Sequence, residues 1–187
     1  LQQEGIVIDF NLEDINYHND TLYVFSTAFD VSKTNLGPHI QNDNIISRPK
    51  YLENLSKNKY IIGVTGTHGK TSTTAILSHI FHYNNKDVSY IYGGSTSFNG
   101  IGGHYGKNDE VLILEADEAF NTFENILIQD LVVTNIDEDH LDYYQTYEKL
   151  VDAFKNVINN SKRSIVLNFD NTELKKMNLA KDVYNYS

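Results

Sequence analysis

The sequence predicts an α/β fold organised on a parallel sheet, and three observations lead there. Apolar runs of strand length recur along the 187 residues, helical patterns separate them, and the runs are continuously apolar rather than alternating. Strands buried on both faces read that way, and amphipathic helices between them supply the covering layers. Taken in order, "GIVIDF" (Gly5 to Phe10) and "TLYVFST" (Thr21 to Thr27) are short strands. "RPKYLENLSKN" (Arg48 to Asn58) is a helix that begins at Pro49, a favoured first-turn position. Together they make one small α/β unit. "KYIIGVT" (Lys59 to Thr65) is a buried strand, followed by a helix from Thr71 to Tyr83 whose amphipathic face carries Ile76, Ile80 and Tyr83. "DVSYIYGG", "EVLILEADE" (Glu110 to Glu118), "DLVVTNIDEDH" (Asp130 to His140) and "SIVLNFD" (Ser164 to Asp170) are further strands. Between the last two, "TYEKLVDAFKNVINN" sets Tyr147, Leu150, Val151, Phe154, Val157 and Ile158 at helical spacing.

The polar "SKNK" ahead of the first long buried strand marks a domain boundary near Asn58, dividing residues 1–58 from 59–187. The glycine-rich stretch Gly93 to Asp109 predicts a mobile or ligand-contacting loop. A chain that begins with Leu1 and stops at "DVYNYS" without a closing helix leads us to expect a fragment of a larger protein.

Composition narrows the function classes. A 40% hydrophobic, 12% aromatic chain can bury a real core. No apolar run approaches the roughly 18 uncharged residues of a membrane helix, and the N-terminus has neither a basic start nor a signal-type apolar stretch. The absence of cysteine excludes disulfides and thiolate metal sites and is compatible with a reducing cytoplasm, the expected location. A net charge of -10 argues against nucleic acid or an anionic membrane as partner, so any bound anion needs a local site. The oligomeric state is left open.

Such a site is visible in "YIIGVTGTHGKTSTTAIL" (Tyr60 to Leu77), which runs from apolar strand through a glycine- and hydroxyl-rich turn into a helix. A phosphate cradle needs glycines that let the backbone aim its N–H groups at oxygens, a helix N-terminus, a lysine, and a hydroxyl for magnesium. Gly66, Gly69, Lys70 and Thr71 supply these parts in order, with Thr67, His68 and Ser72 as further nucleotide-contacting candidates and His68 open also as a plain turn residue, although Val64 stands where the generic GxxxxGK[ST] pattern has glycine. The alternative is a plain glycine-rich turn with an exposed lysine. In an open parallel sheet, ligands gather beyond the carboxyl ends of the strands. Two more runs end in polar residues there: "LILEADE" with Glu115, Asp117 and Glu118, and "VVTNIDEDHLD" with Asn135, Asp137, Asp139, His140 and Asp142. A hard cation takes carboxylate, hydroxyl and phosphate oxygens, so Glu115 and Thr71 could meet across one, with His140 on a second metal or on phosphate. His79, His82 and His104 read as surface or structurally satisfied histidines, and Asp170 as a turn residue or a carboxylate near a nucleotide.

In order and spacing, "GVTGTHGKTSTTAIL", "LILEADEAF" and "VVTNIDEDHLDYY" resemble the central ATPase domain of the Mur ligases. "LYVFSTAFD" and "ISRPKYLENL" resemble the end of the preceding domain in that family. The resemblance implies a P-loop-type ATPase domain on a parallel sheet, preceded by part of a Rossmann-like UDP-sugar-binding domain, with the C-terminal amino-acid-binding domain absent. It implies an ATP-dependent amide ligase of peptidoglycan synthesis that works through an acyl phosphate, with ATP and Mg2+ as cofactors and UDP-N-acetylmuramate and L-alanine as small-molecule partners. Gly66 to Lys70 would cradle the phosphates, with Lys70 neutralising developing charge. Thr71 and Glu115 would hold one Mg2+, His140 a second, and Asn135 would steady the loop or touch substrate. After "EADE" the sequence reads "AFNTF", where relatives have a Ser-Asp pair before the Phe, so no role transfers for that pair. Two other readings stand beside this one: a murein tripeptide ligase of the same family, and a non-catalytic nucleotide-binding or scaffold domain. A GTPase switch is disfavoured because no [NT]KxD segment follows a strand.

Overall fold

The computed structural model describes residues 15–96, 100, 102–118, 123–139, 141–177 and 183–187. The predicted strand at Gly5 to Phe10 and the candidate ligand His140 lie outside them. The chain divides into two compact units, Leu1–Leu52 and Glu53–Ser187; the sequence suggested a break near Asn58.

In the first unit β1 (Tyr23–Phe25) pairs in parallel with β2 (Ile45–Ser47), Tyr23 opposite Ile45. The strand expected over Thr21 to Thr27 is thus three residues long. Two 3-10 turns, Val31–Lys33 and Gly37–His39, fold the connection, the first capped by Asp30, which accepts from the Ser32 N–H. Val31, Leu36 and Ile45 form a small core against Tyr17, Tyr23, Phe25 and Phe29. Helix α1 (Arg48–Ser56) begins directly after β2 with Pro49 in its first turn, where the missing N–H has no intrahelical acceptor to lose.

The second unit is built on a seven-stranded sheet: β3 (Tyr60–Thr65), β4 (Val88–Ile91), β5 (Gly103–His104), β6 (Asn108–Glu115), β7 (Asp130–Val133), β8 (Ile165–Asn168) and β9 (Val183–Tyr186). The spatial order is β5-β4-β6-β3-β7-β8-β9. All pairings are parallel except β4 with β5. The fold is therefore α/β with a mostly parallel sheet, as the continuous apolar runs predict. Ile61, Val64, Ile113, Leu114, Leu131, Val133, Ile165 and Leu167 along the central strands are buried.

Several boundaries differ from the sequence reading, for identifiable reasons. The strand predicted through Glu118 stops at Glu115, and the one predicted to His140 stops at Val133. Just beyond those points Ala116 and Thr134 N–H still bond to Val64 O and Thr65 O of β3, and from Asn135 on the second chain turns to the loop after β3, where Asn135 O accepts from Thr67 N–H. The Gly93 to Asp109 stretch is not loop throughout: Gly103–His104 adds β5, and Asn108 already begins β6. There His104 Nε2 lies 2.6 Å from Asp87 Oδ1, so this histidine is structural. Short helices α3 (Leu141–Tyr144) and α5 (Thr172–Lys176), and strand β9, give no periodic signal of useful length and were not foreseen.

Helix α2 (Lys70–Tyr83) is present, but its expected apolar face points outward. Ile76, Ile80 and Tyr83 are 61%, 50% and 79% exposed. The face against the sheet carries buried Thr74 and Ser78 with partly buried Ala75, Leu77 and Phe81, packed on Val88, Tyr90, Tyr92 and Ile113. The Thr74 hydroxyl donates to Lys70 O and that of Ser78 to Thr74 O, so both polar groups are satisfied inside the helix and can be buried. Helix α4 (Tyr147–Asn160) follows its prediction: Leu150, Val151, Phe154, Val157 and Ile158 are all buried.

Candidate functional site

The sheet order explains why the site forms where it does. From β3 the chain crosses to β4 on one side, and from β6 it returns to β7 on the other, so β3 lies between β6 and β7. At such a reversal the loops after adjacent strands diverge and leave a crevice beyond the carboxyl ends. The loops that follow β6, β3 and β7 carry Glu115 to Glu118, Gly66 to Lys70, and Thr134 to Asp139.

The loop after β3 is shaped by two glycines in the left-handed region, Gly66 (φ 133°) and Gly69 (φ 83°). A side chain at Gly66 would also collide: its Cβ would stand 2.1 Å from Thr134 Oγ1. Gly69 is the N-cap of α2 and offers no side-chain hydrogen bond to the first turn. The leading N–H groups of that helix have no acceptor four residues earlier, which leaves them available to an anion. Thr67, His68, Gly69, Lys70, Thr71 and Ser72 line a cavity of about 280 Å³ around this terminus.

The β7 loop holds this curl rigidly. Thr67 N–H donates to Asn135 O at 3.0 Å, and His68 N–H donates to Asn135 Oδ1 at 2.8 Å. Asn135 Nδ2 returns a bond to His68 O at 2.9 Å. The Thr134 hydroxyl lies 2.6 Å from His68 O, and Asp137 N–H donates to Thr67 Oγ1 at 2.9 Å. Asn135 therefore steadies the loop through both ends of its amide. Thr134 was missed by the sequence reading because a threonine after an apolar strand carries no chemical signature of its own. His68 is largely exposed, its Nε2 3.8 Å from Asp137 Oδ2.

The β6 loop brings two carboxylates to the other wall. Thr71 Oγ1 donates to Glu115 Oε1 at 2.8 Å, and Gly93 N–H donates to Glu115 Oε2 at 2.6 Å. A hydroxyl and a carboxylate this close, beside the cavity at the start of α2, are hard oxygen donors of the kind magnesium takes. The residues present thus fit one such ion. No cluster of three or more His, Asp or Glu able to hold a metal occurs among the described residues. Glu118, three residues on, faces Lys70 instead. Lys70 Nζ lies 2.9 and 2.8 Å from the two Glu118 oxygens, and it also donates to Gly66 O at 2.7 Å and Thr67 O at 3.2 Å. Asp117 Oδ1 is farther away, at 3.9 Å. Tyr144 O–H donates to Glu118 O at 2.5 Å and fixes that backbone. Burial raises the Glu118 carboxyl above its ordinary value, against the lowering effect of its bond to Lys70.

Comparison with known proteins gives this geometry a context. Residues 64–187 match the model of the Mur ligase middle domain. The UDP-N-acetylmuramate--L-alanine ligase of Wolbachia sp. subsp. Brugia malayi (strain TRS) is 34% identical over 167 residues, 89% of this chain and 31% of its own length. The chain thus spans about a third of that relative. Among solved structures, UDP-N-acetylmuramate-alanine ligase MurC from Thermotoga maritima is similar with a TM-score of 0.81 at 22% identity, over 100% of this chain and 43% of that one. MurF ligase from Thermotoga maritima, solved in complex with ADP, is similar with a TM-score of 0.58 at 20% identity, over 89% of this chain and 47% of that one.

Proposed function

The chain belongs to the Mur ligase family, and from that premise we propose that it carries the ATP-handling part of a ligase joining L-alanine to UDP-N-acetylmuramate. The observation that carries the reading is the Thr71–Glu115 pair at 2.8 Å, set directly beside the Gly66–Lys70 curl and the uncapped start of α2. The likeness to a ligase named for these two substrates supports the choice of acceptor and amino acid.

In the proposed reaction a carboxylate oxygen of the sugar nucleotide forms a bond to the γ-phosphorus of ATP while the bond to the ADP oxygen breaks. The amino nitrogen of alanine then attacks the acyl carbon, phosphate leaves, and the nitrogen loses a proton. Anions meet in the first step, so positive charge and in-line positioning supply most of the rate. The N–H groups at the start of α2 would hold the phosphate oxygens. Lys70 would place its ammonium where charge builds up on the transferred group. Thr71 and Glu115 would hold a magnesium ion, which when bound would add charge neutralisation at the phosphates. Asn135 would keep the His68 peptide from rotating and so preserve the aim of the loop.

The test is phosphate release by the full-length protein given ATP, magnesium, UDP-N-acetylmuramate and L-alanine, with each substrate omitted in turn. We expect release only in the complete mixture and a loss of roughly a hundredfold or more for Glu115→Gln. Release that ignores either the sugar nucleotide or alanine would sink the proposed reaction.

A further inference from the structure

We propose that Glu118 is a positioning residue that parks Lys70 against the loop after β3 and competes with phosphate for its ammonium. This rests on the phosphate-binding reading of Lys70 given above.

The argument is one of donors and acceptors. A lysine ammonium has three N–H donors and no acceptor. Here Gly66 O, Thr67 O and the Glu118 carboxylate lie within 3.2 Å of Nζ, which is enough to occupy all three. The lysine side chain is 12% exposed and that of Glu118 is 0% exposed. Lys70 therefore curls back over its own loop, and a phosphate entering the cavity must take at least one donor away. The two loop carbonyls are neutral acceptors, whereas Glu118 is a carboxylate shut away from water, so its attraction for the ammonium is screened little by solvent. Tyr144 O–H donates to the Glu118 carbonyl and anchors that backbone, so any movement of the carboxylate with the lysine is confined to side-chain rotation.

Parking of this kind acts as a population effect. If the released lysine is present in only about a tenth to a third of molecules, apparent affinity for a phosphate ligand falls by about three- to tenfold. Glu118→Gln keeps the shape, removes the charge and lifts that restraint.

The experiment is calorimetric binding of MgADP to the full-length protein in four forms: parent, Glu118→Gln, Lys70→Met and the double variant, with thermal melts to confirm folding. We expect Glu118→Gln to tighten MgADP about three- to tenfold, Lys70→Met to weaken it, and the tightening to vanish in the Lys70→Met background. Equal tightening in both backgrounds would show plain charge repulsion between Glu118 and the nucleotide and overturn parking. Unchanged or weaker binding by Glu118→Gln, with Lys70→Met weakened, would overturn the proposal alone. Lys70→Met binding as tightly as the parent would overturn the phosphate reading and this proposal together. If Glu118→Gln does not fold, Glu118→Asp serves: it keeps the charge but withdraws it by one methylene, and it should tighten binding in the same direction; failure to do so would count against parking.

Discussion

Helices α2 and α4 are the same length, 14 residues each, yet they are oriented by opposite means. Helix α4 is turned by its apolar stripe. Leu150, Val151, Ala153, Phe154, Val157 and Ile158 are all buried, and Phe154 packs edge-on against Phe123 with ring centroids 5.4 Å apart. Helix α2 is turned by its first residues. Its start is fixed to the loop after β3, and the face that meets the sheet is whatever that geometry dictates, including the hydroxyls of Thr74 and Ser78. A helix whose N-terminus is pinned by an anchored, glycine-shaped loop can thus leave large apolar residues facing outward, because placement of the terminus decides its rotation.

Breaking the α4 stripe should have the largest effect. Phe154→Ala removes a fully buried ring, and its expected cost is about 3–5 kcal/mol, read as a lower urea midpoint with the slope unchanged. A loss below about 1 kcal/mol would mean that the stripe does not orient the helix. For α2 the corresponding break is at the loop. Asn135→Ala deletes both side-chain bonds to His68, leaving that peptide less constrained, at a cost of about 1–3 kcal/mol. Amide exchange should quicken at His68 and in the first turn of α2 while the α4 amides stay protected. Faster exchange spread evenly over both helices would remove the distinction.

The same contrast explains what the sequence made legible. The parallel sheet was readable because strands such as Tyr60–Thr65 are continuously apolar, and α4 because its burial follows its periodicity. The glycine-shaped turn into α2 was readable because Gly66 and Gly69 stand between an apolar strand and a helical pattern. The rotation of α2 was not, since Ile76, Ile80 and Tyr83 make a better apolar stripe on paper than Thr74 and Ser78. The pairing of Lys70 with Glu118 was also hidden: "EADE" offers three acids, and only the turn after β6 decides that Glu115 meets Thr71 while Glu118 meets the lysine. Thr134 was invisible for a related reason, because its value lies in the acceptor it finds on a different loop.

The smallest expected effect tests the outward face of α2. Ile80 is half exposed, and neither of the stripe's other members is less exposed than it. If the loop sets the rotation, Ile80→Ser removes little buried apolar area from this unit and should change stability by no more than about 0.5 kcal/mol, as ordinary surface substitutions do. The serine's slightly lower helix propensity than isoleucine's is too small to alter that expectation. Ala75 lies on the sheet-facing side, so a larger side chain there meets Val88, Tyr90, Tyr92 and Ile113; Ala75→Leu should cost about 1–3 kcal/mol through overpacking. Thermal melts of the two variants measure the pair directly. A larger loss for Ile80→Ser than for Ala75→Leu would mean that the stripe, not the loop, holds α2 in place.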